Sequence, residues 1–580
     1  MSASKTGFLP VCRSDMDKLG REECDFIFVS GDAYVDHPSF AAALLCRVLE
    51  AEGYRTGIIP QPDWKNPASF TILGRPRLGF LVGAGSMDSM VAHYTAARRR
   101  RSDDAYSPGG KSGFRPDRAI LVYIERIRRA YSDAAVIIGG IEASLRRFSH
   151  YDYWSDTVRR SILLDSKADI LVYGMGERPL LEIASRLAAG EPVKNIRNVR
   201  GTCVRVHGKQ SVTQWKDAVY LPPYETVKGK DEASLRAYAQ HFMTQKKNSD
   251  PLSAFPLAEE NDGERFIIQN PPSLPLSTAE LDRIYEIPFL RKAHPMYEGG
   301  INALKEVSFS LVSSRGCFGG CSFCAITNHQ GRAVTARSKE SLVREAKMLT
   351  KHEDFKGYIH DVGGPTANFF NPACEKQKRG GFCVERECLF PSACPKLKAD
   401  HIAYLKTLEA LRKIPGVEKI FIRSGIRFDF IQLDMKHGNE FLETLCRNHV
   451  SGQLKTAPEH ISPNVLDAMG KGDGYEKFRK DFTAANKKLK LKQYLLPYFI
   501  SAHPGAGKKE AEELAKYLKK TGFTPEQTQE FYPTPGTLST VMYHTGLDPR
   551  TGKLIYAAKG DKERRLQKSM LKSGCFSKLG

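Results

Sequence analysis

The 580-residue sequence contains no apolar run that approaches the length needed to cross a bilayer. Its first stretch, MSASKTGFLPVCRSDMDKLG, lacks the basic segment followed by an apolar segment that marks a secretory signal. These two absences argue against a membrane-spanning or secreted protein, and we expect a cytoplasmic protein with no membrane partner. The chain is too long for a single hydrophobic core, which predicts two or three domains.

Acidic residues are the scarcer of the two charged classes. Lys and Arg number 87 against 66 Asp and Glu, which gives a formal net charge of +21. Such an excess favours anionic partners: nucleic acid, phosphorylated ligands or acidic electron-transfer proteins. The basic stretch 551–580 is interpreted as a C-terminal tail or a final short helix.

The early and late parts of the chain alternate short apolar runs, glycine turns and amphipathic stretches. This rhythm predicts βα units on parallel sheets. Over 1–190 it predicts an N-terminal flavodoxin-like or cobalamin-binding-like α/β domain, and 191–296, rich in proline and polar residues, is expected to connect it onward. Over 297–550 six strands with crossover helices predict a partial (β/α)6 TIM barrel, whose active site would lie at the carboxyl ends of the strands.

Three cysteines lie close together in SSRGCFGGCSFCAITNHQGR, at Cys317, Cys321 and Cys324. A zinc site normally has four ligands, whereas three thiolates with no fourth nearby suit a cubane iron–sulfur cluster with one open iron. The glycines around them let the backbone fold tightly and donate N–H groups to sulfur. A redox loop or a partial zinc site is the alternative interpretation.

The spacing C-x3-C-x2-C after the first strand of such a barrel resembles the radical S-adenosylmethionine (radical SAM) enzymes. SGDAYVDHPSF, IIGGIEASLRRFSHYDYW, YGMGERPL, DVGGPTAN and YFISAHPG extend the resemblance to nearly the whole chain. Together they look like the YgiQ-type radical SAM proteins. The resemblance implies a [4Fe-4S] cluster on the three cysteines and reductive cleavage of SAM to a 5′-deoxyadenosyl radical.

The resemblance also implies cosubstrate contacts at the ends of the strands. DVGGPTAN stands where the superfamily carries a Gly-Gly-Glu turn, with Pro365 in place of the acid. The residues expected to bind the cofactor are Phe323, Gly363, Gly364, Ser424, Arg427, Lys455 and Glu459.

A second set of cysteines follows the second barrel strand, in an insert over 374–394. The insert has too little apolar content to fold alone, so a metal would hold it together. A second iron–sulfur cluster and a structural zinc remain open, as do free thiols. The four residues are Cys374, Cys383, Cys388 and Cys394.

The N-terminal domain resembles a cobalamin-binding module but lacks its D-x-H-x-x-G loop. DAYVDHPSF offers His37 without the following glycine. Cobalamin is therefore an unfavoured cofactor.

The leading hypothesis is a radical SAM enzyme whose substrate is unassigned, supplied with electrons by a low-potential flavodoxin or ferredoxin. Acidic donors of this kind suit a basic surface. Two rivals stay open: an RNA-binding or cluster-based sensor protein, and a tRNA- or rRNA-modifying radical SAM enzyme.

Overall fold

The structure is a computed structural model that describes residues 7–523, 525 and 528–573. It divides into two compact units, one formed by Met1–Gly229 with Lys247–Ser308 and the other by Lys230–Lys246 with Phe309–Gly580. No helix among the described residues is long and apolar enough to cross a membrane.

The elements below are numbered along the chain. The strands are β1 (Phe26–Ser30), β2 (Val35–Asp36), β3 (Thr56–Pro60), β4 (Gly79–Gly83), β5 (Val136–Gly139), β6 (His150–Asp152), β7 (Thr157–Arg159), β8 (Ile170–Val172), β9 (Thr202–His207), β10 (Val219–Tyr220), β11 (Leu257–Asn261), β12 (Arg265–Gln269), β13 (Lys292–Ala293), β14 (Ser310–Val312), β15 (Ser314–Arg315), β16 (Thr335–Ala336), β17 (Tyr358–Ile359), β18 (Asp361–Gly363), β19 (Lys419–Ile420), β20 (Gln453–Glu459), β21 (Tyr494–Ser501) and β22 (Gln529–Glu530). The helices are α1 (Arg13–Lys18), α2 (Ala41–Ala51), α3 (Ser89–His93), α4 (Ala119–Ala130), α5 (Gly140–Leu145), α6 (Ile162–Ser166), α7 (Glu177–Ala188), α8 (Lys209–Val212), α9 (Tyr224–Val227), α10 (Glu232–Lys247), α11 (Thr278–Glu286), α12 (Asn302–Val307), α13 (Ile326–Gln330), α14 (Lys339–Leu349), α15 (Glu375–Lys378), α16 (Ile402–Arg412), α17 (Phe428–Leu433), α18 (Gly438–Asn448), α19 (Pro463–Met469), α20 (Tyr475–Leu489), α21 (Lys508–Thr521), α22 (Leu538–Thr545) and α23 (Asp561–Ser573), with 3-10 turns at Pro67–Phe70 and Val193–Asn195.

The first unit is built on one sheet with the strand order β10-β11-β12-β9-β8-β5-β4-β1-β3. Strands β3, β1, β4, β5 and β8 run parallel. Their order is that of flavodoxin-like sheets, with the topological switch point between β1 and β4. Every residue of β1 is buried, because helices cover both faces of a parallel sheet. The predicted α/β class of this domain is confirmed.

The stretch 191–296, expected to be a connection, contributes four strands to the same sheet. Strands β9, β12 and β11 pair antiparallel beyond β8, and β10 closes the edge. The turn between β11 and β12 holds Asp262 and Gly263 at φ of 54° and 75°. The paired residues Asn261 and Arg265 flank a three-residue loop, and an Asp-Gly pair with positive φ is typical of β-hairpin turns.

Six parallel strand segments follow one another round the second unit in chain order. Strand β14 pairs with β18, and β17, on the same segment as β18, pairs with β19. The extension of β19 meets β20 through Ile426 and Thr456, and β20, β21 and β22 continue the series. The helices α14, α16, α18, α20 and α21 alternate with these strands. This is the six-stranded partial barrel that the sequence predicts.

The basic C-terminal stretch forms a helix over its described part. In α23, Leu571 is buried with Phe499, Leu514 and Leu518. Arg564 is also buried, and its Nε donates to Glu530 at 2.7 Å. The sequence allowed either a tail or a final short helix, and residues 561–573 form a helix. Residues 574–580 lie outside the described part of the chain.

Candidate active site

The cysteine loop begins directly after the first barrel strand and is closed at its base by a short ladder. Strands β15 and β16 pair antiparallel on either side of it. Gly316 has a φ of 84°, and a Cβ added there would lie 2.1 Å from the Ala333 carbonyl oxygen. The N–H of Cys317 donates to the Gly331 carbonyl at 3.1 Å. Glycine at position 316 is therefore required for the two sides of the loop to approach each other.

The three cysteines of this loop are half-buried. Burial raises the pKa of Cys317, partly offset by a contact with Thr366 Oγ1 at 3.5 Å. Burial, then the neighbouring Cys321 and Cys317, raise the pKa of Cys324 to about 12. Cys317 and Cys324 therefore stay protonated until a metal centre takes them as thiolates, since coordination deprotonates a thiol outright.

The donor set of the loop is compatible with an iron–sulfur cluster. Among the described residues, no set of three or more His, Cys, Asp or Glu side chains closes round one metal ion. A cubane cluster holds its ligands further apart, because its own iron and sulfide atoms lie between them. A cationic donor also points at the thiols, since Arg427 Nη1 lies 3.4 Å from Cys321 Sγ. A negatively charged cluster with cysteine ligands fits this combination.

The ends of the second and third barrel strands meet beside the loop. A Cβ on Gly363 would lie 2.4 Å from Ser424 Oγ, and a Cβ on Gly364 would lie 2.5 Å from the Ser314 carbonyl oxygen. Both glycines therefore permit close approach of neighbouring backbone. The Gly363 carbonyl accepts from the Ser313 N–H at 2.7 Å, whereas the Gly364 carbonyl lies beyond the ladder.

Asp361 organises this corner, a role that sequence reasoning missed. Its carboxylate accepts from the N–H of Arg423 at 2.8 Å, from the N–H of Ser424 at 3.2 Å, and from Ser424 Oγ. Burial raises the pKa of Asp361 although these bonds oppose it. Asp361 thus fixes the position of Ser424, which the sequence had proposed as a cosubstrate contact.

A buried charged cluster adjoins Cys321. The guanidinium of Arg427 pairs with Asp429, with Nε 2.9 Å from Oδ1. Lys471 Nζ lies 3.7 Å from Glu459 Oε1 and donates to the Ala457 carbonyl. Burial raises the pKa of Glu459, while Lys471 and Arg427 lower it. Sequence reasoning found Arg427 and Glu459 here and missed their partners.

Lys455 does not join this cluster. It is exposed on β20, one position before Thr456, where the register shift that extends to Glu459 begins. Glu459 follows the shift with a φ of 67°, a left-handed conformation that non-glycine residues seldom adopt. The shift turns Glu459 towards Lys471, a residue that sequence reasoning did not propose.

Phe323 lies against the end of the fifth strand. Its ring meets His503 edge-on at 5.9 Å, and it packs with Val465 and Met469. Both ring nitrogens of His503 are engaged at 2.7 Å, one with the Pro504 carbonyl and one with Ser539 Oγ.

Three of the second set of cysteines are electrostatic neighbours. Burial raises the pKa of Cys388 to about 11, Arg332 lowers it, and Cys374 and Cys394 raise it further. Cys388 Sγ also accepts from Gln377 Nε2 at 3.5 Å. Cys383 is exposed. No helix or strand is present from 379 to 401, and within this segment Leu389 packs in an apolar cluster with Phe318 and Phe369.

The switch point of the first unit is filled by its own side chains. Arg115 is fully buried there, with Nη2 3.1 Å from Asp32 Oδ1 and 2.8 Å from Asp104 Oδ2. A Cβ on Gly85 would lie 2.1 Å from Asp32 Oδ1. Ligands of flavodoxin-like sheets bind in this crevice, and here it is occupied.

His37 is not available as a cobalt ligand. Its Nδ1 meets the Ser39 N–H at 3.1 Å, and its Nε2 meets Arg291 Nη1 at 3.0 Å. The His37 ring is therefore not positioned to supply a cobalt ligand, and whether this unit binds cobalamin stays a prediction.

Family models match most of the chain. A model described as Radical SAM N-terminal matches residues 8–310, and one described as Radical SAM superfamily matches residues 311–518. A model described as a domain of unknown function matches residues 526–574. With the six-stranded barrel and its C-x3-C-x2-C loop, these matches define a radical SAM enzyme.

Curated relatives identify the family. A UPF0313 protein of Clostridium botulinum is 51% identical over 98% of this chain and 88% of its own length. Another, of Clostridium perfringens, is 50% identical over 98% of this chain and 85% of its own length. The chain belongs to the UPF0313 family, which is the YgiQ-type family that the sequence resembles.

The comparison with solved structures matches the radical SAM methyltransferase TsrM from Kitasatospora setae with cobalamin and a [4Fe-4S] cluster bound. The match covers 88% of this chain and 77% of that chain, at 12% identity and a TM-score of 0.49.

Proposed function

We propose that Cys317, Cys321 and Cys324 hold a [4Fe-4S] cluster and that SAM binds the iron left without a protein ligand. The observation that carries this proposal is the three-thiol loop at the carboxyl end of the first barrel strand, where such folds keep their active sites. When bound, the cluster would supply one electron to the sulfonium, which breaks into methionine and a 5′-deoxyadenosyl radical.

Residues at the neighbouring strand ends would hold the cosubstrate. The Gly364 carbonyl is better placed than that of Gly363 for the methionine amino group, because Gly363 already accepts from Ser313. Ser424, held by Asp361, would contact the ribose or the carboxylate. Phe323 would lie against the adenine. Lys455 and Glu459 complete the proposed set, although Glu459 is partly neutralised by Lys471.

The second cysteine group would hold a further metal centre. Support comes from the proximity of Cys374, Cys388 and Cys394 in an insert with almost no secondary structure. Coordination would supply the stability that the insert lacks. An iron–sulfur cluster and a zinc ion both take cysteine thiolates, and the iron content of the reconstituted protein distinguishes them.

The electron would come from a low-potential flavodoxin or ferredoxin. The formal net charge of +21 supports an acidic partner, because attraction between opposite charges would raise the rate at which the two proteins associate. Transfer from such a donor should slow as salt is added, because screening weakens steering between charged surfaces. Salt-independent transfer would contradict an electrostatic encounter.

Anaerobically reconstituted protein provides the test. With SAM and dithionite, wild type should release 5′-deoxyadenosine, and a Cys317→Ala, Cys321→Ala, Cys324→Ala variant should release none. Release by the triple variant, or none by wild type with a loaded cluster, would contradict the proposal. A Cys374→Ala, Cys388→Ala, Cys394→Ala variant is the matched control: it should lose about four irons, one cluster's worth, if the second group holds a cluster, and none if it does not.

A further inference from the structure

Arg427 stands in direct contact with the cysteine loop rather than in the open site. It is nine-tenths buried. Its Nη1 lies 3.4 Å from Cys321 Sγ and 3.3 Å from the Gly319 carbonyl oxygen. The sequence offered Arg427 as a partner for the carboxylate of SAM. In the structure its donors are directed to a cysteine sulfur and to the loop backbone.

The loop is shaped to admit this guanidinium. A Cβ on Gly319 would lie 2.7 Å from Arg427 Nη1 and 3.3 Å from Cys317 Sγ. Any larger residue would push the guanidinium away from the loop. Glycine at 319 therefore serves the arginine contact as well as the turn.

A second layer of residues holds Arg427 in place. The Arg427 N–H donates to Asn368 Oδ1 at 2.9 Å, and Asn368 Nδ2 donates back to the Arg427 carbonyl at 3.0 Å. Asn368 Nδ2 also lies 3.3 Å from His401 Nε2, and His401 Nδ1 lies 2.7 Å from Asp434 Oδ2. Burial lowers the pKa of His401. A neutral His401 with its proton on Nδ1 satisfies both contacts.

The charge on Arg427 is secure. A guanidinium is not deprotonated in proteins, and here it is paired with Asp429. Asp429 binds the Nε and Nη2 edge, so Nη1 is left to face the sulfur. The positive side of this ion pair is therefore nearest to Cys321.

We propose that Arg427 sets the reduction potential of the cluster held by Cys321, with Asp429 moderating its effect. The proposal rests on the proposed function, because it presumes that the three cysteines bind the cluster. Reduction adds one negative charge to the cluster, and a hydrogen-bonded cation at a ligating sulfur stabilises that charge. Arg427 thus raises the potential and makes the cluster easier to reduce. It is a positioning and tuning residue, not a catalytic one.

Redox titration of the reconstituted protein, followed by electron paramagnetic resonance, tests the assignment. In Arg427→Gln, the ratio of reduced to oxidised cluster at a fixed potential should fall about tenfold, equivalent to about 59 mV for a one-electron couple. In Arg427→Lys this ratio should fall less, because lysine keeps the positive charge and loses only the planar set of guanidinium donors. Arg412→Gln removes an exposed arginine on α16 and should leave the potential unchanged.

Asp429→Asn separates tuning from mere structural support. It keeps the cation and removes its counter-charge, so the potential should rise, opposite to Arg427→Gln. If Arg427→Gln does not fold because Asp429 is left unpaired, the Arg427→Gln, Asp429→Asn double variant decides, and its potential should be lower than that of wild type. Potentials equal to wild type in folded, loaded variants would overturn the assignment. A wild type that binds no cluster would instead overturn the proposed function.

Discussion

Replacing Gly316 with alanine should disable the cysteine loop, and Gly331 supplies a matched control. Both glycines lie at the ends of the loop with φ of 84° and 85°. Alanine at either position meets backbone strain of about 1–3 kcal/mol. Only at 316 does the added Cβ also strike backbone, 2.1 Å from the Ala333 carbonyl oxygen, whereas nothing lies within 4 Å of a Cβ at 331.

That clash should cost a further 1–3 kcal/mol or more, roughly the penalty of overpacking, because the β15–β16 ladder must open to relieve it. Opening the ladder moves Cys317 away from Cys321 and Cys324. We expect Gly316→Ala to unfold at lower urea than Gly331→Ala and to lose most of its iron after reconstitution. Gly331→Ala should keep most of its iron. Equal iron content and equal urea midpoints in the two variants would refute the argument.

Three further predictions concern buried charge, pH and cobalamin. Lys471→Met removes the lysine that pairs with the buried Glu459 and should lower the free energy of unfolding by about 3–5 kcal/mol. The control Lys455→Met, at an exposed position of β20, should change the free energy of unfolding by no more than about 0.5 kcal/mol. Similar urea midpoints for the two variants would contradict the buried-pair interpretation. Burial lowers the pKa of His449 and His460 to about 4 and that of His503 to about 3, against an ordinary 6.5. Below about pH 6.5 these histidines therefore bind protons in the unfolded chain but not in the folded chain. Each ring should lower the free energy of unfolding by about 1.4 kcal/mol per pH unit on acidification towards pH 4. Urea titrations at pH 7 and pH 5 measure this loss, which His460→Gln should reduce and which would be absent if the rings were accessible. Hydroxocobalamin should elute apart from the protein on gel filtration, because Arg115 and its carboxylates fill the switch point; co-eluting corrin absorbance would show that the crevice opens.

The barrel and its cysteine loop were predictable because their signals are local. Each strand is an apolar run that ends in a glycine or polar turn, and the three thiols lie within one short loop. Gly363, Gly364 and Ser424 were proposed because DVGGPTAN and IRSGIRFD resemble strand-end motifs of the radical SAM family. Whether they bind SAM stays a prediction.

The charged partners were not predictable, because they are distant in sequence. Lys471 meets Glu459 only through the register shift at Thr456, and strand alternation alone favours the exposed Lys455. Asp361 was visible in DVGGPTAN, but its role depends on the third strand ending beside it. The β11–β12 hairpin had a local signal, the Asp262–Gly263 turn, that the interpretation of 191–296 as a connection overlooked.

The electron paramagnetic resonance spectrum of the dithionite-reduced, reconstituted protein, recorded with and without SAM, tests the central claim most directly. Wild type should show a cluster signal that SAM perturbs, because SAM binds the open iron. The Cys317→Ala, Cys321→Ala, Cys324→Ala variant should show no SAM-sensitive signal, whatever signal the second cysteine group contributes. A SAM-sensitive signal in that variant, or a fully loaded wild-type cluster whose signal ignores SAM, would contradict the account.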